Sequence, residues 1–213
     1  MRKQRGRVFI NLGLLLVAAA LFLTLYNVTQ DRRAQRTAGA AVAALKEAAA
    51  QKSSSGSAGL PQLDTTPDFV RYPEMEMPVE TVAGQDYIGT LEIPAIRRTL
   101  PVISQWSYPS LYEAPCRYTG SAYSGDLVIA AHNYSSQFAS LRRLQTGDEV
   151  RFTDVDGNVF VYAVVLTETL APTAVEEMTA GEYGLTLFTC TYGGSYRITV
   201  RCDLAETIVA SGK

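Results

Sequence analysis

The sequence predicts an all-β domain of barrel type with short helices, carried behind one N-terminal transmembrane helix and a spacer. Three observations lead there. Val8 to Tyr26 is a run of 19 residues without a charge, close to the N-terminus. Residues 32–80 are rich first in Ala, then in Ser, Gly and Pro. From Gln85 onward, short runs of β-branched and aromatic residues alternate with turn residues, which is the pattern of strands.

A helix needs about 20 apolar residues to cross the hydrocarbon core of a bilayer, and the stretch at about 8–26 meets that length. Arg2, Lys3, Arg5 and Arg7 precede it, while Arg32, Arg33 and Arg36 follow beyond Asp31. The excess before the run favours a cytoplasmic N-terminus and an extracellular domain. A cleaved signal peptide has a shorter apolar region, roughly 7–15 residues, and a small-residue site after it. Tyr26-Asn27-Val28-Thr29-Gln30 offers no such site.

Residues 1–31 are therefore read as a membrane anchor, 32–80 as an Ala-rich stalk followed by a Ser/Gly/Pro linker, and 81–213 as the folded domain. Ala is the strongest helix former, so the stalk is expected to be helical. Its apolar face is nearly all Ala and offers little to bury. Ser53 to Gly59 has the composition of a flexible linker.

In the domain, candidate strands are Tyr87–Ile93, Leu100–Ile103, Asp126–Ala130, Glu149–Thr153, Val159–Thr167, Leu185–Thr191 and Tyr196–Asp203. Asp156-Gly157 and Gly193-Gly194 fall between neighbouring runs and are hairpin signals. Ser135–Leu144 is the one interior stretch that reads as a helix, with Phe138, Leu141 and Leu144 on one face. Seven or eight strands in about 130 residues suggest a closed or nearly closed barrel.

Charge and composition exclude several function classes. The net charge is −2, and residues 1–36 hold seven cations and one acid, which leaves −8 for the remainder. An acidic body of this kind argues against a nucleic-acid binder. Three cysteines do not make a disulfide framework. The single histidine, His132, rules out a multi-histidine metal site within one chain. Neither a Walker loop nor a G-x-G-x-x-G motif is present.

The chemistry centres on Cys190, at the end of Leu185-Thr186-Leu187-Phe188-Thr189-Cys190. If Gly193-Gly194 form a two-residue turn, Thr191 faces Tyr196 and Cys190 faces Arg197. Residues directly opposite share a face, with Cβ atoms about 4.5–5.5 Å apart. An adjacent cation favours the thiolate form of a cysteine, and a guanidinium can stabilise an oxyanion on an acyl group under attack. The alternative is a core cysteine beside a surface arginine.

Arg201 shares the face but lies opposite Thr186, roughly 13 Å along the strand, so Arg197 is preferred. His132 follows Leu127–Ala131 at a strand end, a common place for catalytic groups. A lone histidine is more often structural. It gains weight as the acid/base partner of a nucleophilic Cys190. Cys202 has core parity, whereas Cys116 lies in the loop-like Ala114-Pro115-Cys116-Arg117.

The anchor, the spacer, the β domain, "A-H-N" at Ala131-His132-Asn133, "T-L-F-T-C" at Thr186–Cys190 and an Arg shortly after it together resemble the sortases. These are membrane-anchored cysteine transpeptidases of Gram-positive bacterial surfaces. The resemblance covers about residues 85–208 and implies an eight-stranded sortase-type β-barrel. It implies Cys190 as nucleophile, His132 as general acid/base and Arg197 as the group that stabilises the bound carbonyl and its oxyanion. It further implies cleavage of a C-terminal Leu-Pro-x-Thr-Gly-like sorting motif of secreted proteins between Thr and Gly. The resulting thioester is resolved by an amine of cell-wall precursor or a pilin lysine.

The resemblance implies no cofactor. Some members are activated by calcium, and the carboxylates that serve them have no placed counterpart here. The segment between Glu168 and Leu185 is too short for the long helix typical of class B, and the Asp-Pro-aromatic lid motif is missing. The overall sequence nonetheless looks like class B or D relatives. Two further readings stand beside this one. One is a surface cysteine endopeptidase that releases its product to water. The other is a non-catalytic membrane-tethered binding module, which would gain nothing from keeping Cys190, His132 and Arg197 together.

Overall fold

The computed structural model describes residues 2–55 and 66–210, with side chains for 10–52 and 66–210. The linker reading at 53–59 falls, from Gly56 onward, outside the described residues. The chain begins with a single helix, α1 (Arg2–Ser55). Among the described residues it is the one helix long and apolar enough to cross a membrane, and none of its most apolar window is buried.

Among the described residues nine strands follow: β1 (Glu80–Val82), β2 (Gln85–Ile93), β3 (Arg98–Ile103), β4 (Cys116–Thr119), β5 (Leu127–Ala130), β6 (Glu149–Asp154), β7 (Val159–Leu170), β8 (Leu185–Cys190) and β9 (Arg197–Ile208). Their order is β1-β2-β3-β4-β5-β8-β9-β7-β6, and β6 pairs back onto β2. Eight strands, β2 to β9, thus close into a ring, with β1 appended outside. Closure leaves no unpaired edge within the ring. Gly89 sits where β2 bends between β3 and β6. Its φ is +153°, and a Cβ there would lie 2.0 Å from the Thr153 carbonyl oxygen, so only glycine fits.

Strand alternation splits the core in two. Leu127, Ile129 and Ala131 of the β5 segment, Leu185 and Leu187 of β8, and Val200 and Cys202 of β9 point into the ring with Phe138, Leu141 and Leu144. Val128, Ala130 and Phe188 point outward, into a second cluster closed by Leu111, Ala41 and Leu45. A short helix, α2 (Asp68–Arg71), precedes the strands, and Leu111 belongs to helix α3 (Tyr108–Glu113), which Ser107 caps by accepting from the Ser110 backbone N–H at 3.1 Å.

The stretch read as a stalk is helical through Ser55 and lies against this outer face. Ala34, Ala38, Ala41 and Leu45 are all buried and form one stripe along α1. Small side chains let the helix axis approach β3 and α3 closely, so a face that offers little area still docks. Asp31 and Lys52 fix the helix through polar contacts. Asp31 accepts hydrogen bonds from the Ser135 hydroxyl and from both the hydroxyl and the backbone N–H of Ser136. Lys52 reaches Glu80 at 3.4 Å and Asp156 at 3.2 Å. The two anchoring residues are 21 positions apart, about 32 Å of helix.

Four expectations need correction. Ser135–Leu144 is a series of turns ending in a short 3-10 helix, Leu141–Arg143, and not an α-helix. Its three apolar residues are buried as expected, because a turn chain can present them to the core as well as a helix can. Cys116 lies on β4, fully buried, and not in a loop. β1 and β4, at 3 and 4 residues, are too short to leave a periodic signal. Finally, the tight turn of the last hairpin runs from Thr191 to Gly194, closed by the Gly194 N–H on the Thr191 carbonyl at 2.9 Å. It is not a two-residue turn centred on Gly193-Gly194, although both glycines take positive φ. The ladder register beyond it is the expected one, Cys190 opposite Arg197 and Thr186 opposite Arg201.

Candidate active site

β5 and β8 run parallel and adjacent, with Ala130 opposite Phe188. The paired ladder ends there, and His132 follows Ala130 by two residues as Cys190 follows Phe188 by two, at the same end of the two strands. Neighbouring strands lie about 4.8 Å apart, and paired residues share a face. β9 flanks β8 on its other side and places Arg197 opposite Cys190. Cys190 and Arg197 therefore share the outer face, and His132 lies just past the end of the neighbouring strand.

The sequence around Cys190 is built for this position. Thr189 is 2% exposed, and its hydroxyl donates to the Ala131 carbonyl at 2.8 Å, which ties the ends of β5 and β8 together next to His132 and Cys190. Phe188 meets Tyr118 edge-on at 5.3 Å under the outer face. Leu187 fills the ring interior, and Thr186 accepts a hydrogen bond from Arg201 at 3.1 Å. Cys190 itself is half-buried, while Cys116 and Cys202 are free thiols in the core. Burial pushes both core thiols up to about 12, which keeps them protonated and inert.

His132 is clasped between two rings. Tyr112 of α3 and Tyr134 each sit 4.8 Å from it, centroid to centroid. Its backbone N–H donates to Gln137 Oε1 at 2.9 Å, and Gln137 Nε2 donates to the Leu111 carbonyl at 3.3 Å. The buried Gln137 thus links the histidine loop to α3. Burial lowers the His132 pKa, so the neutral imidazole is favoured near pH 7. Its Nε2 is buried and has no hydrogen-bond partner among the described residues. Buried polar atoms without partners are rare and recur at catalytic positions.

Arg197 is half-exposed. Its Nη1 donates to the carbonyls of Gly194 at 3.0 Å and Tyr196 at 3.2 Å, which holds the guanidinium at the turn beside Cys190. Nε and Nη2 make no hydrogen bond among the described residues. Arg201, the rival on the same face, is 3% exposed and hydrogen-bonded at every nitrogen. It donates to Glu168 at 2.8 Å, to Thr186, and to the carbonyls of Met178 and Glu177. It binds β7, β8 and β9 to the short helix α4 (Val175–Met178), with four of its five N–H groups taken. Among the described residues, no group of three His, Cys, Asp or Glu side chains could hold a metal ion.

A Sortase domain model matches residues 91–205, just over half of the sequence. The chain belongs to the sortase family. Its fold is similar to sortase A of Listeria monocytogenes, at 21% identity and TM-score 0.51, over 57% of this chain and 88% of that one. It is also similar to sortase C of Clostridium perfringens, at 22% identity and TM-score 0.51, over 78% and 89% of the two chains. Sortase C of Streptococcus pneumoniae matches at 24% identity and TM-score 0.53, over 78% and 91%. No curated protein sequence matches the chain. The expected sortase-type ring of eight strands is thus the observed one.

Sequence reasoning missed five supporting residues of this candidate site. Tyr112, Tyr134 and Gln137 position His132, yet Tyr112 comes from another element, and no local spacing links the others to it. Thr189 was visible as part of the signature, but its hydrogen bond to β5 is a product of strand order. Asp31, which fastens α1 to the loop after His132, looked like an isolated acid among arginines.

Proposed function

We propose that the chain is a membrane-anchored cysteine transpeptidase in which Cys190, His132 and Arg197 carry the chemistry. The observation that supports this best is the strand order, which pairs Cys190 with Arg197 and sets β5, the strand that leads to His132, beside β8. α1 holds the enzyme in the membrane with its N-terminus cytoplasmic and its domain outside, as the basic residues before the apolar run favour.

The steps follow from these groups. The sorting-motif carbonyl lies with its oxygen toward Arg197. Neutral His132 accepts the thiol proton as the Cys190 sulfur attacks the carbonyl carbon between Thr and Gly. Charge develops on the oxygen, where the free N–H groups of Arg197 meet it. The imidazolium formed is flanked by the faces of Tyr112 and Tyr134, which favour a cation. As the carbon–nitrogen bond breaks, His132 gives its proton to the departing glycine amine. A thioester remains on Cys190. An incoming amine attacks it, passes a proton to His132, and expels the sulfur, which regains that proton. The acceptor is an amine of cell-wall precursor or a pilin lysine.

The test uses the full chain in detergent, a panel of sorting-motif peptides and intact-mass detection. A peptide adduct on the wild-type chain that Cys190→Ala lacks is the expected result, with release as an amide when amines are added. Release only as the free acid would favour the endopeptidase reading. Absence of any adduct across the panel, with Cys190 open to a thiol reagent, would leave a binding module.

A further inference from the structure

A cavity of about 280 Å³ opens beside Cys190, and neither His132 nor Arg197 lines it. Its walls include Thr189 and Ile198, which pair with each other across the β8–β9 ladder. Both alternate to the inner side relative to Cys190 and Arg197. The cavity therefore reaches Cys190 from the end of the ring, whereas Arg197 stands on the outer face. An acyl group whose carbonyl oxygen points to Arg197 leaves this approach open to the second reactant.

Three arginines line the same cavity, Arg98, Arg142 and Arg143, and no carboxylate does. The side chains of Arg142 and Arg143 are exposed and make no ion pair or hydrogen bond among the described residues. Arg98 donates to the carbonyls of Ser135 and Arg97, and its buried Nε has no partner. Asp31 of α1 touches this lining through Ser135. Its field reaches Arg98, but its oxygens are taken by Ser135 and Ser136. Cations left unpaired around one cavity hold it at positive potential, and low-dielectric walls focus that potential on an entering ligand.

We infer that this cavity is an anion-binding subsite for the acceptor, so that the preferred amine carries a carboxylate or a phosphate in the same molecule. The inference rests on the transpeptidase reading and names the class of acceptor. Guanidinium forks suit both anions. Asp31 lies five residues beyond Tyr26, about 7.5 Å of helix, so an anionic acceptor held at the membrane surface is within reach.

The test compares amines that differ only in the anion, at equal concentrations of free amine, acting on preformed acyl-enzyme of the full chain in neutral detergent. Diglycine against glycylglycinamide forms the carboxylate arm; phosphoethanolamine against ethanolamine forms the phosphate arm. The anionic member of at least one arm should resolve the thioester about tenfold faster, the scale of one charge-assisted contact. The Arg142→Gln/Arg143→Gln variant should reduce that preference to about one while acylation is unchanged. Equal rates in both arms, or a preference that survives the double substitution, would overturn the inference. So would a variant that slows acylation by acidic peptides instead, because the anion would then belong to the sorting peptide. Inorganic phosphate binding, measured by titration calorimetry, gives a readout independent of acylation. Failure to form acyl-enzyme sinks the transpeptidase reading, whereas phosphate binding that the double variant fails to weaken sinks the subsite.

Discussion

Arg197 and Arg201 project from the same face of β9, four residues apart, and the structure assigns them opposite kinds of consequence. Consider Arg201→Met, which keeps much of the volume and removes the charge. It orphans the Met178 and Glu177 carbonyls and the Thr186 hydroxyl, each worth about 1–3 kcal/mol if left buried and unpaired. It also strips Glu168 of its partner, and breaking a buried pair costs about 3–5 kcal/mol. Water and Glu168, whose side chain is 30% exposed, recover part of this, so the net loss is about 3–5 kcal/mol. For a domain of this size that lowers Tm by roughly 10–20 °C.

Arg197→Ala removes two hydrogen bonds to exposed turn carbonyls and should cost about 1 kcal/mol of stability or less. Its effect on acylation should be about 100- to 1,000-fold, the size of a lost oxyanion donor. Thermal unfolding by circular dichroism and adduct formation by intact mass, run on both variants below their midpoints, separate the two effects. A folded Arg201→Met chain that fails to acylate, beside an Arg197→Ala chain within threefold of wild type, would refute the assignment.

Three further predictions follow from the supports of His132. Gln137→Leu leaves the His132 N–H and the Leu111 carbonyl without partners, so stability should fall by about 2–4 kcal/mol, read from urea midpoints. An unchanged midpoint would mean that the loop repacks. Asp31→Ala should loosen α1 from the loop after His132 and raise amide exchange at Ser135 and Ser136; unaltered exchange would show that the Ala stripe alone seats the helix. Burial depresses the His132 pKa, so its contribution to stability is fully present above the unfolded value of about 6.5 and is lost as pH falls through the folded value. Urea midpoints between pH 7.5 and 5 should therefore drop more for wild type than for His132→Gln, and parallel profiles would discount the effect.

How much of this was legible in the sequence depends on how local each signal is. The apolar run at 8–26 and the T-L-F-T-C signature are local, and both could be read directly. The Cys190–Arg197 pairing could be counted across a short hairpin, because period-two alternation fixes the face once the register is known. Even a wrong turn geometry left that register intact, since the ladder and not the turn sets it.

What the tertiary structure decided is non-local. That His132 and Cys190 stand at the same end of adjacent strands depends on β5 and β8 being neighbours, though 54 residues lie between Ala130 and Leu185. The distinction between Arg197 and Arg201 depends on α4 and Glu168 covering one and leaving the other. The docking of the Ala-rich half of α1 could not be read from its composition, because a face of small residues gains its stability from a partner surface that only the closed ring provides. Sequence determined the candidate reacting groups and the apolar run; the order of strands around the ring determined which of those groups stand at adjoining strand ends.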